Sequence, residues 1–125
     1  MNAHALASAA YGNPRTAYKA PRAAEYEVIA RITGRLRKAV EDEYAPFSKV
    51  AEALHENRRL WVELAIDLAN PDNALPQQLR VQLLGLAQFT ITHTAAVLEG
   101  RASAEVLVDI NTAVLRGLSG KADVT

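Results

Sequence analysis

The residue types that could do chemistry in this 125-residue chain are few and scattered. Its three histidines, His4, His55 and His93, have no partner histidine or carboxylate at a spacing that would close a metal-ligand set. Cysteine is absent, which removes disulfides, thiol nucleophiles and thiolate metal sites together. Ser8, Ser48, Ser103 and Ser119 fall in caps or chain ends with no nucleophile motif around them. No glycine-rich phosphate loop is present. Most carboxylates sit near cations at helical spacing, such as Glu56–Arg59 and Arg59–Glu63, the pattern of solvated helix faces. Neither an enzyme nor a bound cofactor or metal is expected from these residues.

Four positions carry more information. Asn57 lies three residues after Leu54 and four before Trp61, inside or beside an apolar stripe, and Asp109 and Asn111 flank Ile110. A buried polar group without a partner costs about 1–3 kcal/mol. These side chains therefore either bridge helices and cap loops, or recognise the backbone of a partner. Trp61 divides the same way. It is in register with the stripe, which favours a core anchor; exposed, it would anchor a partner.

The elements that must position these residues are helices. Half of the chain is apolar and 6% aromatic, and alanine and leucine, good helix formers, dominate the apolar set. Residues 2–10 can form a short alanine-rich helix that ends at Gly12-Asn13-Pro14. Residues 12–22 read as a connector. After Pro21, the residues Tyr26, Ile29, Thr33, Leu36 and Val40 share one helical face, with Glu25 and Glu27 in the first turn and Arg35, Arg37 and Lys38 in the last. Pro46 starts a second helix whose stripe is Phe47, Val50, Ala51, Leu54, Trp61, Ala65 and Leu68; Asn70-Pro71 ends it. The helix from about Pro76 to Leu98 carries two apolar stripes, Leu79, Leu83, Leu86 and Thr90, and Leu84, Ile91, Ala95 and Leu98. Such breadth predicts a central helix with neighbours on both sides. Gly100 closes it, Ser103 caps a last helix bearing Leu107, Ile110, Val114 and Leu118, and residues 119–125 form a loose tail. The expected fold is a single all-α domain over 1–125, a small bundle of about four main helices plus a short N-terminal helix.

Fourteen basic residues balance fourteen acidic ones, so no global field draws the chain to nucleic acid or membrane. Locally, Arg15, Lys19, Arg22, Arg31, Arg35, Arg37 and Lys38 outnumber Glu25 and Glu27. The first residues lack the basic start and apolar run of a signal peptide. No uninterrupted apolar stretch approaches the roughly 20 residues of a membrane span. A soluble, cytoplasmic protein without membrane insertion is expected.

Three ordered motifs carry a family resemblance. They are Asn57, Arg58, Leu60 and Trp61; Asp67, Leu68, Pro71, Asn73, Leu75 and Pro76; and Asp109, Ile110, Asn111, Ala113, Gly117 and Leu118. With the opening "AYGNPRTAYKAPRAAEYEV", they make residues 1–118 resemble the FlaF family of flagellar biosynthesis regulators. "FTITHT" departs from the more basic run expected before the histidine. The resemblance implies a role in flagellin synthesis or secretion alongside FlbT, with flagellin the expected partner and FlbT a second. By analogy with helical flagellin chaperones, such a bundle would hold the helical ends of flagellin in a groove. Partner-binding residues expected on this view are Asn57, Arg58, Trp61, Leu84, Ile91, Asp109 and Asn111. The segment with Ala3, Leu6 and Ala10 would dock over the groove until flagellin displaces it. The rival is an RNA-binding regulator acting on flagellin mRNA through Arg15, Lys19, Arg22, Arg31 and Arg35, and a third option is a scaffold that binds only FlbT. An RNA binder usually interleaves cations with aromatics in a recognisable module, which is not evident here.

Overall fold

The computed structural model describes residues 20–119, and within them it contains four α-helices and no strand. They are α1 (Ala20–Glu41), α2 (Phe47–Ala69), α3 (Gln77–Leu98) and α4 (Glu105–Ser119). The expected all-α bundle is thus observed. Residues 2–10 and the tail beyond Ser119 lie outside the described residues.

Successive helices run antiparallel. α1 packs on α2 and α4, and α2 packs closely along α3. α3 and α4 form the loosest of the neighbouring pairs. Two apolar clusters fill the interior. One gathers Val28, Ile29 and Ile32 of α1 with Leu60 and Trp61 of α2 and Ala87 of α3. The other joins Leu36 with Ala53, Leu54, Ala104, Leu107 and Val108.

The connections are short and stopped by local chemistry. Pro46 and Pro76 each stand one residue before a helix, in extended conformations with ψ of 152° and 143°. There a missing N–H costs nothing, because the first helical N–H groups have no intrahelical acceptor. After α3, Arg101 donates its N–H to the Ala96 carbonyl and Gly100 donates to Val97, the paired bonds of a Schellman ending. They require Gly100 at φ 78°, a conformation open to glycine at little cost. Ser103 caps α4 as expected: its hydroxyl accepts the Glu105 N–H at 3.2 Å.

Four expectations need correction. First, α1 begins earlier than the apolar pattern suggests, at Ala20, which moves Glu25 and Glu27 out of its first turn. Second, the buried face of α1 is Ala24, Val28, Ile29, Ile32, Thr33 and Leu36, while Tyr26 is exposed. The stripe of α2 likewise loses Phe47, 64% exposed at the first turn, and gains Ala53, Asn57 and Leu60. Third, Glu56 bonds across the helix pair to Arg35 at 2.6 Å. Fourth, α3 is not central. Of its 22 residues only Ala87, Thr90 and Thr94 are buried.

Candidate partner-binding surface

The residues singled out for recognition divide, in the structure, into an interior group and a surface group. Asn57, Trp61 and Asn111 belong to the interior, each 1% exposed or less. Trp61 Nε1–H donates to Asn111 Oδ1 at 2.9 Å. The Asn111 amide in turn donates to Asn57 Oδ1 at 2.7 Å and to Thr33 Oγ1 at 3.0 Å. Thr33 passes its own hydroxyl proton back to the Ile29 carbonyl at 2.6 Å. Both N–H groups and the oxygen of the Asn111 carboxamide are thereby used, and three helices are joined through one side chain. No partner reaches these residues without opening the core, so their expected direct contact with a partner is corrected to an internal positioning role.

The second motif builds the α2–α3 turn. Asn70 Oδ1 accepts the Asp72 N–H, and Asn73 Oδ1 accepts the Leu75 N–H, each at 2.9 Å. The Asn73 amide reaches back to the Asp67 carbonyl at 3.2 Å. Arg80, one turn into α3, donates Nε and Nη2 to the Leu68 carbonyl at 3.1 and 3.0 Å, and Nη2 also to the Asn70 carbonyl at 3.2 Å. The last carbonyls of a helix lack intrahelical donors and carry partial negative charge. A guanidinium there answers both, and it fixes α3 against α2 at a set angle. Leu60 of α2 and Ala87 of α3 meet in the first apolar cluster. Asn57 Nδ2 and Thr90 Oγ1 are buried without a hydrogen-bond partner within the protein. At its other end α3 is held by His93, whose Nε2 lies 2.7 Å from the Ser103 carbonyl and, as N–H, donates to it, while its ring stacks on Phe89.

The surface group is dominated by α3. The helix carries one charged side chain, Arg80, and the turn uses it. Its outward line of Val81, Gly85, Gln88, Thr92 and Ala95 is uncharged and exposed. Val81 is 60% exposed, Phe89 44% and Leu79 39%, and Ile66 of α2 is 61% exposed. By length and composition α3 is apolar enough to cross a membrane, yet little of it is buried in the fold. Leu84 and Ile91 are half-buried on this helix, and Arg58 and Asp109 are exposed on α2 and α4. Sequence reasoning missed Ile66, Val81 and Phe89, although the near absence of charge over Gln77–Leu98 was a signal for them.

Among the described residues, the basic side chains do not form one stripe. Arg15 and Lys19 lie outside the described residues, and Arg22 falls in the first turn of α1. Arg31 is exposed, Arg35 faces Glu56 on α2, and Arg37 donates to Thr112 on α4 at 3.0 Å. An open groove of about 830 Å³ at the α1–α2 end is lined by Arg35, Lys38, Lys49 and Arg59 but also by Asp42, Glu52 and Glu56. Among the described residues no group of three or more His, Asp or Glu side chains is placed to hold a metal ion.

No curated protein and no solved structure gave a match to the chain. A family model described as "Flagellar protein FlaF" matches residues 7–118 and spans all three motifs that build the polar core and the turn. The chain therefore belongs to the FlaF family of flagellar proteins.

Proposed function

We propose that this flagellar protein binds an amphipathic helical segment of flagellin on the outward face of α3 and holds it unassembled for secretion. The observation that supports this reading is the uncharged, poorly buried α3, with Val81, Phe89, Leu79 and Ile66 exposed around it. A helix laid against an apolar surface is a recurrent mode of recognition, and α4 packs only loosely on α3. Flagellin as the occupant comes from the family resemblance; the surface supplies the chemistry. The role on this reading is binding, with no reaction catalysed.

The test is titration of the full chain with synthetic peptides of the two terminal segments of flagellin. Val81→Asp and Phe89→Asp each place a carboxylate in the contact. A central apolar anchor is worth about 2 kcal/mol, so each change should weaken binding roughly 30-fold. Val81 is exposed, so Val81→Asp should leave stability within about 0.5 kcal/mol, whereas Phe89→Asp also loses the stack on His93 and should cost about 1 kcal/mol. Wild-type affinity in both variants would reject α3 as the site.

A second reading rests on the α1–α2 groove, where Lys38, Lys49 and Arg59 stand near Tyr44, itself 87% exposed. A base can stack on such a ring while cations hold the phosphates. A salt-sensitive shift of flagellin leader RNA, lost in Lys38→Glu with Arg59→Glu, would favour it over the first. Co-purification with FlbT alone would point to the scaffold.

A further inference from the structure

We infer that the α3 face is self-complementary and pairs two copies of this chain about a two-fold axis at Gly85. The pairing shares its face with the proposed flagellin site but needs no flagellin, and where both hold, the two contacts exclude each other.

The order of side chains along one ridge of α3 carries the inference. Residues four apart on a helix line up in a ridge, and here the exposed ridge reads Val81, Gly85, Phe89. Its centre has no side chain. One large apolar side chain stands about a turn away on each side, 60% exposed at Val81 and 44% at Phe89. A two-fold axis through the centre demands such an order, since position i must meet position j while j meets i. Two of these ridges can lie side by side in opposite directions, at the crossing of about −50° common between helices. Val81 then meets Phe89 of the second copy at both ends, and Gly85 meets Gly85 between them. Nothing lies within 4 Å of where a Gly85 Cβ would be, so the two backbones can approach closely there. Gln82 and Gln88 are exposed on the flanks of the ridge. Each faces its own counterpart across the axis, and a carboxamide, which both donates and accepts, can bond to a copy of itself.

Charge selects the same occupant. The one charged side chain of α3, Arg80, is held on the Leu68 and Asn70 carbonyls, so no like charges meet across the axis. Fourteen basic and fourteen acidic residues balance over the whole chain, and two copies approach without net repulsion. Area sets the strength. A helix of 22 residues is about 33 Å long and about 10 Å across, a footprint of no more than about 330 Å² per copy. A stable interface covers roughly 800 Å² per partner. The dimer is therefore weak, with a dissociation constant on the order of 100 µM, and a peptide that fits the face better displaces it.

Sedimentation equilibrium of the full chain, without peptide, tests the pairing. Between about 10 µM and 1 mM the mass should rise from 13.5 kDa towards twice that value. Val81→Lys and Phe89→Glu should each weaken the dimer at least about tenfold. The chain carrying both changes sets an ammonium against a carboxylate at each end and should recover most of that loss. Gly85→Ala should raise the Tm of the monomer through helix propensity yet weaken the dimer about tenfold, because two methyl groups then meet on the axis. A species of monomer mass throughout the range would overturn the inference. If that monomer instead floats with phosphatidylcholine vesicles or binds the flagellin peptide, the face belongs to that occupant. A dimer untouched by all three single changes would also overturn it, by placing the contact elsewhere. A dimer that responds as expected, with no binding of the flagellin peptide, would uphold the pairing and reject only flagellin as the partner.

Discussion

Replacing Asn111 with alanine is the most informative single change to the interior. The side chain is fully buried and makes three hydrogen bonds, to Trp61 at 2.9 Å, Asn57 at 2.7 Å and Thr33 at 3.0 Å. Asn111→Ala leaves the Trp61 indole N–H and the Asn57 carbonyl oxygen buried without partners. Asn57 Nδ2 has none already, so the whole Asn57 amide would be orphaned. Thr33 keeps its bond to Ile29 and adds little. Two new unsatisfied groups at about 1–3 kcal/mol each, partly relieved by side-chain movement, give about 3–4 kcal/mol. That is a large share of the 5–15 kcal/mol typical of a domain, and corresponds to a fall in Tm of about 10–15 °C for a chain of this size.

Urea unfolding followed by Trp61 fluorescence measures the loss, with far-UV circular dichroism for variants lacking the indole. The coupling is the sharper readout. Trp61→Phe in the wild type leaves Asn111 Oδ1 without its donor, whereas in Asn111→Ala it removes an orphaned N–H. The two costs should therefore be sub-additive by about 1–2 kcal/mol. Additive costs, or a loss below about 1 kcal/mol for Asn111→Ala, would refute the claim that this network joins the helices.

The turn and the helix ends supply further tests. Arg80→Gln removes the guanidinium from the Leu68 and Asn70 carbonyls and should cost about 1–2 kcal/mol by thermal unfolding, since hydrogen bonds to charged groups are the stronger ones but this site is part-exposed. Arg80→Lys should recover less than half of that, because a single ammonium cannot reproduce the fork. Gly100→Ala meets no neighbour, yet φ of 78° makes it unfavourable, by about 1 kcal/mol. Gly34→Ala, exposed in the middle of α1 and equally free of neighbours, should instead stabilise by about 0.5–1 kcal/mol. The same shift for both glycines would contradict the assignment of their backbones.

The family motifs proved to be instructions for the fold. Asn57, Trp61 and Asn111 meet in one buried network, and Asp67, Asn73 and their neighbours close one turn. Asn57, Trp61 and Asn111 were thus among the residues least available to a partner, while Arg58 and Asp109 of the same motifs stay exposed. The surface that is available, on α3, carries no motif. It stands out by lacking charge over a length where a solvated helix normally has several charged residues.

Helix existence, the proline and glycine stops and the caps at Ser103 and Gly100 were all readable along the chain, because each depends on residues within about one turn of one another. The partnership of Trp61 with Asn111 was not readable, since fifty residues separate them and either could have been met by solvent or a partner. Nor could the sequence alone place α3. Its two apolar stripes suggested a helix enclosed on both sides, and only the tertiary structure decided that α2 covers one side while α4 stays largely away. An apolar face in a sequence specifies that something must cover it; what covers it is set by the packing of distant segments, which local periodicity does not encode.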